Sequence, residues 1–123
     1  MPAERIIIKP TRGEVYLVNF DPTIGTEIGK TRPALIIQND LANERSPITI
    51  VAAITSKFDD RLFPTEVQIE PPEGGLKTTS VILLNQVLSI DRQRLAKRIG
   101  IVSPDTLTRI DRAIQISLGL VDL

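Results

Sequence analysis

The sequence predicts a mainly β (α+β) domain, a strongly curved sheet or small barrel covered by one C-terminal α-helix. Three observations predict it. Short runs of β-forming residues recur between Gly13 and Val102, separated by clusters rich in Pro, Gly, Asn and Asp. A single segment carries a strong helix-start signal, and it stands near the end of the chain. The chain has 123 residues, the size of one domain, and can bury roughly two thirds of its unfolded surface.

Residues 1–11 read as a loosely held leader and residues 12–123 as one domain. The run EVYLVNF (14–20) is rich in β-formers and stops at the turn signal Asp21-Pro22. The loop DPTIGTEIGKT follows, with Gly25 and Gly29 permitting sharp turns. PALIIQ (33–38) is a continuous apolar run suited to a buried strand; NDLANERSP breaks it, and ITIVAAITS (48–56) is a second such run. After KFDDRL, the segment FPTEVQI (63–69) alternates like a half-exposed strand. EPPEGGLKT reads as a loop, TSVILLNQVLSI (79–90) as a strand, DRQRL as one helical turn capped by Asp91, and KRIGIV as the closing strand. The helix begins with Ser103 as N-cap, Pro104 at the first helical position and Asp105 in the first turn. Leu107, Ile110, Ala113, Ile114, Ser117, Leu118 and Val121 then keep helical spacing and form one face, suited to a core or a dimer contact.

Composition excludes several function classes. Hydrophobic content of 41% and charged content of 24% describe an ordinary globular protein. Zero formal net charge argues against a domain that binds nucleic acid through overall basicity, but leaves room for a local basic groove. Without cysteine there are no disulfides or thiolate metal sites, and without histidine the usual neutral-pH acid/base and the commonest metal ligand are missing. The N-terminal apolar run Ile6–Ile8 is too short for a signal peptide or a membrane span, so a cytoplasmic location is expected.

The stretch GTEIGKTRPALIIQ (25–38) imitates a phosphate-binding P-loop but does not match one. That loop needs four residues between its first glycine and the Gly-Lys-Ser/Thr, and it opens a helix. Here only three residues stand between Gly25 and Gly29, and a strand follows instead.

With the segments placed, RGEVYLVNFDPTIGTEIGKTRPALIIQND, IVAAITSK and SVILLNQVLSIDRQRL resemble the MazF/PemK (Kid) family of endoribonuclease toxins, the mRNA interferases of type II toxin–antitoxin systems. The likeness runs from about Arg12 to Leu120. It implies an SH3-like barrel with a C-terminal helix and a homodimer that binds single-stranded RNA. It also implies cleavage without metal or other cofactor, leaving a 2′,3′-cyclic phosphate and a 5′-hydroxyl. The implied partner is a cognate MazE-like antitoxin, through whose complex the toxin reaches DNA; no membrane is implied. Carried over residue by residue, the family's catalytic arginine falls on Arg32, its threonine on Thr55, and the glutamate of its Gly-Ser/Thr-Glu loop on Glu27. Some members use an aspartate as base where this chain has Asn85, so that role does not transfer.

The proton chemistry of such a site is restricted. Arg32 offers a planar fork of donors to a phosphate, but with a pKa above about 12 it is a poor general acid. Thr55 can donate to a phosphate oxygen or orient the 2′-hydroxyl. Glu27 can act as base or position Arg32 through a salt bridge, and the same salt bridge would weaken its basicity. A slow enzyme is expected. Taken alone, Arg32 reads as a surface ion-pair partner and Thr55 as a β-propensity choice.

Ser56, Lys57 and Gln86 flank the matched positions as candidates for RNA contact, with Lys30, Phe58 and Arg61. Phe58 and Phe63 read first as core plugs and second as stacking platforms for unpaired bases. The run RQRLAKR (92–98) reads as a solvated basic face. Two other readings keep the same fold: a protein-binding toxin resembling the gyrase poisons, which the absence of tryptophan disfavours, and an inactive RNA-binding homologue.

Overall fold

The structure, a computed structural model, describes residues 8–20 and 31–122. Its elements in chain order are β1 (Glu14–Asn19), β2 (Thr31–Ile36), α1 (Asp40–Arg45), β3 (Ile48–Thr55), β4 (Glu66–Ile69), β5 (Ser80–Asp91), β6 (Leu95–Ile101) and α2 (Pro104–Ser117). All six strands join one antiparallel sheet in the order β4-β5-β3-β2-β1-β6.

Strands β1, β2 and β3 alternate between two apolar layers. Val15, Leu35, Ala52, Ile54, Ile82 and Leu84 form one core with Ile110 and Ala113 of α2. Tyr16, Val18, Ala34, Ile36 and Val51 face the other way and are covered by Ile90 and Leu95, where β5 passes into β6. A sheet buried on both faces explains why PALIIQ and ITIVAAITS are apolar without a break. Register shifts in β3–β5 and β1–β6 curve the sheet, because each inserts unpaired residues that bend a strand and add twist.

The expected curved sheet and terminal helix are present, but hydrogen bonding does not close a barrel: among the described residues β4 and β6 are not paired. A 3₁₀ turn at Glu73–Gly75 spans the gap and lies against the β6 backbone at Ile99 and Gly100.

Two local readings are corrected. NDLANERSP contains helix α1, capped by Asn39, whose side chain accepts the Ala42 amide at 2.9 Å. Its buried residue is polar, so no apolar stripe announces it. Asn43 accepts from Gln38 Nε2 at 2.9 Å and Thr49 Oγ1 at 2.8 Å, and donates to the Gln38 carbonyl at 2.9 Å. Three hydrogen bonds on one amide thus tie the chain just after β2 to α1 and β3. Second, β4 starts at Glu66 rather than Phe63, because the Glu66 amide closes a turn onto the Phe63 carbonyl at 2.9 Å and Pro64 has no N–H to give a ladder.

The other strands lie within two residues of where they are expected, but α2 ends at Ser117, so Leu118 and Val121 of the expected face fall beyond it and Leu118 is 65% exposed. Asp91 accepts the Gln93 amide at 2.8 Å and caps a 3₁₀ turn at Arg92–Arg94. Ser103 caps α2 by accepting the Thr106 amide at 3.1 Å. Of the leader expected over 1–11, residues 1–7 lie outside the described residues; Ile8 packs on the second core and the Thr11 amide donates to Glu14 Oε1 at 2.6 Å. No helix among the described residues is long and apolar enough to cross a membrane.

Glu73 links the bridging turn to α2, accepting the Ser103 amide at 2.9 Å. Burial alone would raise its pKa. Hydrogen bonds from Thr106 and Ser103 and the attraction of Arg109 outweigh burial and hold it below the ordinary 4.5. A depressed carboxylate stabilises the fold above its unfolded pKa, and that contribution disappears as pH falls through the folded value. Glu73→Gln is therefore expected to lower the urea midpoint at neutral pH and to shrink the loss on acidification below about pH 4.5. An unchanged midpoint at neutral pH would remove Glu73 from the account.

Candidate active site

Strands β2 and β3 place Ala34 opposite Ala53 and Ile36 opposite Val51. Continued past the last rung, this register brings Arg32 opposite Thr55, with main chains about 5 Å apart. Alternate residues of a strand share a face, so both side chains emerge on the side carrying Ala34, Ile36 and Val51. There they line one open cleft of about 460 Å³.

Arg32 is exposed at the start of β2. Pro33 fixes its own φ and biases Arg32 toward an extended backbone as the strand begins. Thr55 is held by the turn that ends β3: the Lys57 amide donates to its Oγ1 at 3.0 Å, and its hydroxyl donates to the Lys57 carbonyl at 3.2 Å. The amide fixes the oxygen. The longer bond is the one the hydroxyl can exchange for a phosphate oxygen.

A register break brings Gln86 to the same place. One step along β3, from Ala52 to Ala53, corresponds on β5 to the jump from Val87 to Leu83. The extra residues bulge: Leu84 turns into the core and Gln86 reaches the cleft. Lys57, Phe58 and Arg61 also line it. Ser56, next to Thr55, is exposed but is not among the lining residues, and neither is Asn85. Glu27 and Lys30 lie outside the described residues.

Three further lining residues stand outside the main candidates, and of them only Phe63 is read from the sequence as a possible stacking platform. Phe63, read first as a core plug, is 65% exposed on the cleft wall. Pro64 starts the turn that swings it outward. Asp59 and Glu66 bring two carboxylates into a cleft that also holds Arg32, Lys57 and Arg61. Glu66 looked like one polar position of an alternating strand, and its membership depends on pairing opposite Leu83, which no local signal gives.

The run RQRLAKR is not a uniformly solvated face. Arg92 is buried, with Nε and Nη2 unpartnered among the described residues. Arg94 donates to the Asn19 carbonyl at 3.2 Å, where β1 ends, and Arg98 pairs with Glu14.

The cleft thus offers an arginine fork, a hydroxyl fixed beside it, further cations and exposed aromatic surface. Such a set suits a flexible, unpaired polyanion with bases that can stack, more than a compact metabolite. Among the described residues no group of three or more acidic side chains is placed to hold a metal ion.

Comparison with known proteins identifies the family. Residues 11–118 match the family model described as PemK-like, MazF-like toxin of type II toxin–antitoxin system. The chain is 44% identical over 111 residues to "Endoribonuclease EndoA" of Bacillus subtilis (strain 168), covering 90% of this chain and 96% of that one. Its fold resembles an endoribonuclease solved in complex with its cognate antitoxin from a mycobacterial species, with a TM-score of 0.76 at 24% identity over 93% of this chain and 99% of that one. A MazE–MazF structure from Deinococcus radiodurans gives a TM-score of 0.72 at 25% identity, covering 91% of this chain and 97% of that one. With nearly its whole length matched, the chain belongs to the PemK-like, MazF-like toxins of type II toxin–antitoxin systems.

Proposed function

We propose that this protein is a toxin endoribonuclease that cuts single-stranded RNA at short preferred sequences and so arrests translation. The observation that carries the reading is the convergence of Arg32 and Thr55, from adjacent strands, in one open cationic cleft. The name of the B. subtilis relative supports the reaction class.

In the proposed reaction the 2′-hydroxyl loses its proton and O2′ attacks the adjacent phosphorus. The bond from phosphorus to O5′ breaks, and O5′ takes up a proton. The products are a 2′,3′-cyclic phosphate and a 5′-hydroxyl, with no water consumed. Arg32 holds the phosphate oxygens as negative charge grows on them, which is electrostatic rather than acid–base work. Thr55 donates its hydroxyl to a phosphate oxygen. Glu27 takes the proton from the 2′-hydroxyl; it is the only acid in the loop between Asp21 and Arg32. Lys57, Arg61 and Lys30 track the backbone, while Gln86, Ser56 and Phe58 contact the nucleotides. A chain with neither histidine nor cysteine is poorly equipped to hold a catalytic transition metal, so cleavage is expected to run without one.

The same reading makes the protein a cytoplasmic homodimer neutralised by a MazE-like antitoxin, in line with the Deinococcus radiodurans complex. The test is to incubate purified protein with a long RNA in EDTA and map the new ends. Cleavage with 5′-hydroxyl ends is expected. Activity that appears only on adding a divalent cation would refute the metal-free route, and cleavage of no RNA would refute the enzyme reading itself.

A further inference from the structure

We infer that Glu66 and Phe63 form a base-reading subsite, in which Phe63 stacks one unpaired nucleobase and Glu66 accepts a hydrogen bond from its exocyclic amino group, so that the bases carrying such a group (adenine, cytosine and guanine) are favoured over uracil. The inference rests on the endoribonuclease reading above and adds to it the residue that selects the sequence.

The turn Phe63-Pro64-Thr65-Glu66 is locked from both ends. The Glu66 amide donates to the Phe63 carbonyl at 2.9 Å, and the Phe63 amide donates to Glu66 Oε1 at 2.8 Å. Reciprocal bonds with proline between them leave this turn little freedom, so an exposed ring and a carboxylate are held side by side. One carboxylate oxygen is occupied by the Phe63 amide. The other, Oε2, has no partner among the described residues and belongs to a side chain that lines the cleft.

A carboxylate in a groove meant for a phosphodiester repels the backbone it must admit. It is useful there only against a donor, and the donors of unpaired RNA are the base N–H groups and the sugar hydroxyls. A side chain beside an exposed aromatic ring meets the base that stacks on that ring. Carboxylates accept well from exocyclic amino groups such as cytosine N4. Uracil presents O2 and O4 on either side of its single N–H, and both repel a carboxylate.

The position suits a neighbouring nucleotide, not the scissile one. Glu66 is opposite Leu83, which is opposite Ala53, two residues before Thr55. Two strand spacings across and two residues along separate Glu66 from Thr55 by roughly 12 Å over the sheet. At that distance Glu66 does not reach the phosphate held by Arg32.

The test compares wild type, Glu66→Gln and Phe63→Leu on an RNA pool randomised around a known cut site, with cut ends mapped by sequencing. In Glu66→Gln the oxygen stays on the Phe63 amide, so the group presented to the base changes from an acceptor to an –NH₂ donor. Wild type is expected to favour adenine, cytosine or guanine over uracil by about tenfold at one position near the cut, and Glu66→Gln to favour uracil there. Phe63→Leu should weaken RNA binding roughly tenfold without changing which base is preferred. Wild-type cleavage with an unchanged preference in Glu66→Gln would overturn the subsite alone. So would a uniform loss of cutting at every site by a Glu66→Gln protein of normal circular dichroism, which would place Glu66 in the chemistry. No cleavage by wild type overturns both readings together.

Discussion

Arg32→Ala is expected to slow RNA cleavage by about 10²–10³-fold while leaving the fold unchanged, since that is the cost of removing one donor aimed at charge that develops in the transition state. The fall should appear in kcat, with KM much less affected, because the phosphate already carries charge in the ground state and gains more at the transition state. Stability should hold, because the Arg32 side chain is exposed and its strand pairing opposite Val18 is a backbone matter. Arg32→Lys separates charge from geometry. It keeps a cation but loses the fork, so an intermediate loss of on the order of tenfold is expected. Single-turnover cleavage of a short RNA measures both variants, with thermal unfolding as the control for folding. Wild-type cleavage by Arg32→Ala would mean that the cleft is not the active site, whatever the family resemblance.

The parts of this protein that were legible in the sequence are those written locally. Continuous apolar runs placed β2 and β3, and Ser103-Pro104-Asp105 placed the start of α2 within a residue. Helix α1 was missed because its outward Leu41 is 70% exposed and its buried residue is Asn43, the reverse of an amphipathic pattern. The one available signal was Asn39 as an N-cap, a weak cue beside a proline at position 47. The cleft shows the same division. Arg32 and Thr55 were singled out only through a resemblance; their proximity is a product of the β2–β3 register, which joins residues far apart in the chain. Gln86 reaches them through a bulge, and Glu66 through two successive strand pairings. Non-local pairing of this kind leaves no periodicity behind, so composition and spacing could not separate Glu66 from any other polar residue on a half-exposed strand. Glu27 and Lys30, the two loop candidates, lie outside the described residues and remain proposals.

The largest stability effect is expected at a position that does not line the cleft. Gly75→Ala should destabilise the domain by at least about 3 kcal/mol, a fall in melting temperature of roughly 10 °C or more. Two penalties combine there. Gly75 has φ +73°, the left-handed region, which costs an L-residue about 1 kcal/mol. A Cβ at Gly75 would also stand 1.8 Å from the Ile99 carbonyl oxygen and 2.5 Å from its carbon. Those atoms belong to the backbone of β6, so no rotamer change relieves the clash, and the turn must lift away from the strand. That turn is what spans the gap between the unpaired edges β4 and β6, and Glu73 within it holds the Ser103 amide at the start of α2. Gly119→Ala supplies the control, because Gly119 has nearly the same φ, +72°, with nothing within 4 Å of an added Cβ. It should lose only about 1 kcal/mol, the backbone penalty by itself. Urea unfolding of both variants therefore isolates the contact between turn and strand as the difference between two alanines. Equal losses would show that the turn does not press on β6, and the gap in the sheet would then need another closure.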